Sequence, residues 1–456
     1  MSAHRASDPS AGRFKPYPAY KDSGVEWLGE IPAHWEVQRT KHVARLRSGH
    51  TPSRQHPEYW VDCTIPWFGL ADVWQLRDGR QEYVAETSEK ISALGLANSA
   101  ARLLPKGTVM LSRTASVGFS GIMATQMATT QDFANWVCGE RIRSEYLLYA
   151  FRSMGHEFRR LTMGSTHQTI YMPDVGKFST PVPPILEQDR IVAFIRKETA
   201  KIDALLAKKE RLIELLQEKR TALITRAVTQ GLDPNVPMKD SGVAWLGDIP
   251  TRWDVKRLKY LVPDLTVGIV VTPAKYYVDD GIPCLRSLNI SSGEIDMDDL
   301  VFISKEANEY HRKSKILEGD VVVVRTGQAG TAAIVPEKLS GANCIDLLIV
   351  RRSDQIRSKM VSYYLNSRAA ISQAEVRSVG AIQGHYNTST LAELFVPVIP
   401  VDEQDSIVRY LDDQTAAIDA LTERIREGID RLTEFRTALI SAAVTGKIDV
   451  REAVAA

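Results

Sequence analysis

Two places in the chain join an arginine to a short polar turn. Arg113 and Thr114 open the segment R-T-A-S-V-G, and Arg325 and Thr326 open R-T-G-Q-A-G, which also carries Gln328. Each arginine follows an apolar run, 109–112 or 321–324. A guanidinium in that position can grip a phosphate or take the O6 and N7 of a guanine together. It can equally bridge its own turn to a carboxylate, and the residue types leave both roles open. Two more clusters follow glycines: Ser165, Thr166, His167 and Gln168 after Gly164, and Gln383, His385 and Asn387 after Gly380. Short amides and hydroxyls suit base edges or phosphates; they suit Asx turns and helix caps as well. Thr129, Thr130 and Gln131, with Asn343 in the second half, precede apolar strands and are candidates to line the same clefts. Arg286, with Asn289, holds the place matched by Ser48, Thr51, Ser53 and Arg54; Arg286 is a further candidate for DNA contact, while for most of these residues a solvated loop fits better. Trp67 and Phe68 could stack on bases, but an aromatic after a proline fits a core better.

None of this is catalytic equipment. The chain contains no G-x-x-x-x-G-K-S/T phosphate loop and no N-P-P-F or D-P-P-Y tetrapeptide. Pro183-Pro184 continue into Ile-Leu and read as a helix start. The nine histidines are scattered, and the four cysteines (Cys63, Cys138, Cys284, Cys344) form no C-x-x-C pair, so no metal site or disulfide framework is expected. The net charge of +1 gives no general affinity for nucleic acid, so any basic surface must be local. No run of 18 apolar residues and no signal peptide are found, and a cytoplasmic location is expected.

The elements that must position these residues occur twice. Residues 21–35, KDSGVEWLGEIPAHW, match residues 239–253, KDSGVAWLGDIPTRW, at 11 of 15 positions. The match continues through the two arginine turns, through PVPPILEQD (181–189) against PVIPVDEQD (397–405), and into ALITRAVTQGLD against ALISAAVTGKID. The chain is an internal repeat with a period of about 217 residues.

Each repeat ends in a long amphipathic helix. The first is expected from Pro184 to Gly231, with a seam of Ile191, Ile195, Ile202, Leu205, Leu212, Leu216 and Leu223, interrupted by Glu198, Lys209 and Lys219. The second runs from about Val401 to Gly446, with Ile407, Leu411, Ile418, Leu421, Ile425, Leu432, Phe435 and Leu439 in phase and Gln414 and Gly428 out of it. Each is a rod of about 65 Å. The second globular half starts where the first helix ends and finishes where the second begins, which requires the helices to be antiparallel. Their charges agree: residues 185–231 carry 10 basic and 7 acidic side chains, residues 401–447 carry 6 and 10. The leading segment 21–32 should then dock at the end of the second helix. Helical stretches are also expected at Glu145–Arg160 and Gln355–Val376.

As a set, in this order and repeated twice, these motifs make the chain resemble the specificity (S) subunit, HsdS, of type I restriction-modification systems. The resemblance covers nearly all of residues 17–450. It implies an α+β architecture: two globular target recognition domains separated by two long antiparallel coiled-coil helices, in a pseudo-twofold, circular repeat. The expected divisions are a disordered tail at 1–16, recognition domain 1 at 17–183, a spacer helix at 184–231, recognition domain 2 at 232–399, a second spacer helix at 400–447, and a C-terminal tail at 448–456. The resemblance further implies that each domain reads half of a bipartite site on double-stranded DNA, and that the helices dock two methyltransferase (M) subunits. No cofactor is expected in this chain; S-adenosylmethionine would belong to the M subunits, and ATP and magnesium to two restriction (R) subunits. A two-lobed coiled-coil adaptor binding only proteins is the competing reading of the same repeat.

Overall fold

The computed structural model describes residues 14–162, 168–377 and 386–452. They form two compact units, one from residues 1–209 and 426–456, the other from residues 210–425. Each unit is assembled from the same parts: a W-L-G segment, a mixed globular domain, the first portion of one long helix and the last portion of the other.

In the first unit, Tyr20–Asp22 and Glu30–Pro32 form a hairpin. The main sheet orders its strands Ala44–Ser48, Phe133–Cys138, Val109–Ser112, Ser120–Met123 and Tyr83–Val84. A smaller sheet pairs Ile65–Phe68 parallel to Ala128–Thr129 and antiparallel to Glu89–Ile91. The second unit repeats the plan with Leu265–Val267, Leu347–Val350, Val321–Val324 and Ala332–Ile334, and again places a parallel pair (Ile282–Leu285 with Asn343–Cys344) in a second sheet, here also of four strands. Val321, Val322, Val323 and Val324 are all buried. A strand covered on both faces reads as an unbroken apolar run rather than an alternating one.

The strand Glu36–Arg39 pairs with Ser179–Val182, and Asp254–Arg257 pairs with Phe395–Val398. Each pairing brings the two ends of a globular domain together just ahead of a long helix. Those helices are Ile185–Gln230 and Val401–Val444. The prolines before them and Gly231 and Gly446 after them, at φ of 77° and 72°, are the stop and start signals expected of such helices.

Within each unit the two helix portions run antiparallel. In the first, Arg436 donates to Asp203 at 3.0 Å and Lys209 lies against Gly428; in the second, Arg220 faces Asp419 and Gly231 faces Glu403.

The seam differs from the expected one. Ile191, Ile195, Ile202, Leu216, Ile407, Leu411, Ile418, Ile425 and Leu439 are buried, and Leu223, Leu432 and Phe435 partly so. Leu205 (43%), Leu212 (43%) and Leu421 (44%), however, are exposed. Leu206 and Thr422 are buried in place of their neighbours. On the first helix the inward face advances by four and then three, through Ile202, Leu206, the half-buried Lys209, Ile213 and Leu216; on the second it runs through Leu411, Thr415, Ile418, Thr422 and Ile425. The expected phase passed through Lys209 but took Leu205, Leu212 and Leu421 in place of Leu206, Ile213 and Thr422, and left out Thr415.

The P-x-x-E-Q segments seat the domains. Glu187 accepts from Tyr17 (2.7 Å), His34 (2.9 Å) and Trp35 (3.1 Å). Glu403 accepts from Trp253 (2.8 Å) and pairs with Arg252. Gln188 donates to the carbonyls of Pro183 and Arg141 and accepts from the Arg143 amide; Gln404 does the same with Ile399, Gln355 and Arg357. The leading segment docks at the end of the second helix: Tyr20 donates to the Gly446 carbonyl, Lys447 to the Glu30 carbonyl, and Pro32 and Trp35 crowd Gly446.

Of the expected tail residues, 14–16 and 448–452 are described and are packed against the first unit. Residues 1–13 and 453–456 lie outside the described residues. Phe14 meets Phe194 edge-on at 5.1 Å, the Asp449 amide donates to the Lys15 carbonyl, and Ile448 and Val450 are buried. The expected helical stretches each split in two, Ser144–Ser153 with Gly155–Thr162 and Ser358–Leu365 with Arg368–Arg377.

Candidate nucleic-acid interface

Both arginine turns leave the central strand of a main sheet and reverse into its neighbour. The reversal closes with a glycine amide, Gly118 to the Ser112 carbonyl and Gly330 to the Val324 carbonyl. Those glycines sit at φ of 94° and 93°. A Cβ on Gly118 would lie 3.0 Å from Phe158, so conformation and space both require glycine there. The turns are also tied to the segments downstream. Ala115 donates to the Gln168 carbonyl, and the amides of Ile170 and Tyr386 donate to the carbonyls of Arg113 and Arg325. The sequence therefore brings together, in each unit, the arginine turn and the end of the glycine-led polar cluster. Ser165, Thr166, His167, Gln383 and His385 lie outside the described residues.

The two arginines are held differently. Arg113 donates to the carbonyls of Gln131 (2.9 Å) and Ile170 (3.4 Å), and no carboxylate among the described residues pairs with it. Arg325 donates to Asp346 at 2.7 Å and to the Tyr386 carbonyl; Thr326 donates to the same aspartate at 3.1 Å. So the second turn takes the carboxylate-bridging role, and its charge is neutralised locally. The first turn is braced by neutral carbonyls, so no carboxylate among the described residues offsets its charge. Ala115 and Asp346 adopt φ of 57° and 52°. Non-glycine residues occupy that region at a cost, and such strain concentrates where function demands a particular turn.

Around Arg113, Thr114 is half-buried, Gln168 is exposed, and Tyr171 is 63% exposed. In the second unit Gln328 is exposed, and Asn387 caps the helix Thr388–Ala392 through the Thr390 amide. Tyr171 holds the N-cap place that Asn387 holds in the other repeat. It was not among the candidates read from the letters, and only the repeat alignment with Asn387 points to it.

Several other candidates are structural. Thr129 accepts from Asn135 and is buried; Thr130 bonds Asp132. Asn343 is fully buried between Ser314 and Asn308. These residues satisfy the interior rather than line a cleft, because a buried amide must spend its hydrogen-bonding capacity where it sits. Arg286 is tied to Asp299, and Asn289 caps back to the Arg286 amide. Arg54 pairs with Glu89 over the Trp60 ring, and Thr51 bonds Gln131. Ser53 is exposed in a loop, and Ser48, also exposed, ends the strand Ala44–Ser48 rather than lying in a loop. Trp67 and Phe68 are core residues.

Among the described residues no group of three or more His, Cys, Asp or Glu is placed to hold a metal, and no helix is long and apolar enough to cross a membrane. Burial pushes the thiols of Cys138 and Cys284 up to about 11 and about 12, so desolvation disfavours their thiolate forms.

Comparison with known proteins completes the reading. The family described as "Type I restriction modification DNA specificity domain" matches residues 32–215 and again 253–431. The Type I restriction enzyme MjaIX specificity subunit of Methanocaldococcus jannaschii is 23% identical over 437 residues, spanning 93% of this chain and 96% of that protein. The EcoBI specificity subunit of Escherichia coli is 26% identical over 278 residues, 59% of this chain and 58% of that protein. A solved chain described as "Structural basis underlying complex assembly and conformational transition of the type I R-M system" shares the fold. Its TM-score is 0.63 at 17% identity, over 91% of this chain and 98% of that one. With one specificity domain in each repeat and the matches spanning well over half its length, the chain belongs to the family of type I restriction-modification DNA specificity subunits.

Proposed function

We propose that residues 17–183 and 232–399 are two target recognition domains, each reading one half of a bipartite site on double-stranded DNA. The single observation that carries this is the duplicated specificity domain with two differently charged arginine turns. Two copies of one scaffold with different chemistry at the same place suit two different half-sites. Arg113, Thr114, Gln168 and Tyr171 form the contact surface of the first domain, joined by Ser165, Thr166 and His167. Thr326, Gln328 and Asn387 serve the second, with Gln383 and His385. Arg325 shapes its turn through Asp346. Phosphate contacts position such a protein, and the amides and hydroxyls supply base recognition.

The long helices act as a spacer and as the docking surface for two methyltransferase subunits, which bind S-adenosylmethionine and methylate adenine; restriction subunits would add ATP- and magnesium-dependent cleavage. This chain contributes recognition and no catalysis, and works in the cytoplasm. Methylome sequencing of the host tests the reading. Deleting the gene should remove one bipartite adenine-methylation motif. If every methylated motif survives deletion, the assignment fails.

A further inference from the structure

The two recognition domains rest on their helices through contacts that repeat almost residue for residue. The helix Ser144–Ser153 aligns without a gap to the stretch from Ser358, and Ile185–Gln230 aligns to the helix from Val401. Ser144 and Ser358 both donate to a turn carbonyl, Gly107 or Gly319. Arg143 pairs with Asp189 as Arg357 pairs with Asp405, both at 2.9 Å. Arg436 links Asp203 to the Gly79 carbonyl as Arg220 links Asp419 to Ser292.

At one shared position the charges are reversed in sign. In the first unit the helix contributes Arg196, which meets Glu82 at 2.6 Å and Glu145 at 3.7 Å on the domain. Tyr149 donates to Glu82, and Tyr83 donates to Glu145. In the second unit the equivalent helix residue is Asp412. It meets Lys359, the equivalent of Glu145, and accepts from Tyr363, the equivalent of Tyr149, at 2.7 Å. Thr199 and Thr415, one turn further along, are the same residue and equally buried. The tyrosine and threonine are kept while the ion pair is inverted.

We propose that this inverted ion pair keys each recognition domain to its own helix seat. The second domain placed on the first seat would set Lys359 against Arg196. The first domain placed on the second seat would set Glu145 and Glu82 against Asp412. The Arg143–Asp189 and Arg357–Asp405 pairs, the glutamine contacts and the serine contacts are common to both seats and would accept either domain. Contacts such as Tyr146 to the Val444 carbonyl and Arg80 to Asp203 occur on one seat only, but losing them leaves a gap and opposes no like charges, as the inverted pair would. Like charges opposed across a contact are the usual means by which one surface refuses a second, otherwise matching partner.

The test uses a full-length chain in which residues 254–398 replace residues 36–182, putting the second domain on both seats. Its melting temperature is compared with and without Arg196→Asp. That substitution should raise the melting temperature of the chimera by about 2–4 °C while lowering that of the natural chain by a similar amount. If it leaves the chimera unchanged or lowers it, the keying role is overturned. Should the chimera fail to fold, Lys359→Glu and Asp412→Arg in the natural chain give the second measurement. Each alone should lower the melting temperature, and together they should recover most of the loss. Losses that simply add would overturn the proposal. Neither readout involves DNA, so failure here is distinguishable from failure of the DNA-recognition reading.

Discussion

At the scale of single residues, the two arginine turns look interchangeable as letters but differ in what neutralises them. Arg113 is braced by carbonyl oxygens and Arg325 by Asp346. In the assembled complex, Arg113→Ala should weaken DNA binding across sequences and reduce the slope of log affinity against log salt by about one. Arg325→Ala should leave that slope nearly unchanged and lower the melting temperature instead, because it strands Asp346. Fluorescence anisotropy across a salt series separates the two outcomes; equal slope changes would refute the distinction. Glu82 offers a second prediction. Burial would raise its pKa, but the hydrogen bonds from Arg196 and Tyr149 and the Arg196 charge hold it below the usual carboxylate range. A depressed folded-state value means the folded chain binds fewer protons. Its stabilising contribution is therefore present above the ordinary carboxylate pKa and lost as pH falls through the folded value. The gap in melting temperature between the natural chain and Glu82→Gln should be widest near about pH 7 and close towards about pH 3.

At the scale of elements, the helix ends carry sharper constraints than the helix bodies. Gly231 and Gly446 share a left-handed backbone, yet a Cβ at Gly446 would fall 2.3 Å from Pro32, while one at Gly231 meets nothing nearer than 3.4 Å. Gly231→Ala should cost about 1 kcal/mol from backbone strain alone. Gly446→Ala should cost about 3 kcal/mol, with overpacking added. Denaturant unfolding of the two variants would show the difference, and equal costs would contradict the packing described for Pro32. The helices also carry the spacer proposal. A heptad inserted after residue 209 and another after residue 425 lengthens each rod by about 10.5 Å, close to three base pairs at about 3.4 Å each. The methylated motif should keep both half-sites and gain a longer gap, or be lost. An unchanged gap would rule the helices out as the ruler.

At the scale of the whole molecule, the charge is +1 and the excess in the globular halves is small, 17 basic against 13 acidic residues over 32–180 and 18 against 17 over 250–396. Much of that basic charge is already committed to internal pairs such as Arg143–Asp189, Arg351–Asp320 and Arg357–Asp405. The chain alone should therefore bind its DNA weakly and lose it steeply as salt rises. Tight, sequence-specific binding by the purified chain at physiological salt would contradict this.

How much of this was legible in the letters depends on the range of the physics involved. The duplication, the two long helices and their antiparallel sense follow from local periodicity, proline and glycine signals and chain connectivity, all of which are written along the sequence. So was the membership in a DNA-specificity family, which rests on the order of the repeated motifs. The seam was legible only to within one residue. Leu205 and Leu206 are equally apolar, and which of them turns inward is set by the helix it meets and by the polar members Lys209, Thr415 and Thr422 that the contact tolerates. The sequence offered a carboxylate bridge as one role for either arginine but did not say which arginine takes it, and the burial of Asn343 and Thr129 and the reversed pair at Arg196 and Asp412 were not legible at all. Most of those contacts join separate elements, at separations from 18 positions for Arg113 and Gln131 to 114 for Arg196 and Glu82, and a side chain's charge or amide acquires its role only when folding decides what stands opposite it.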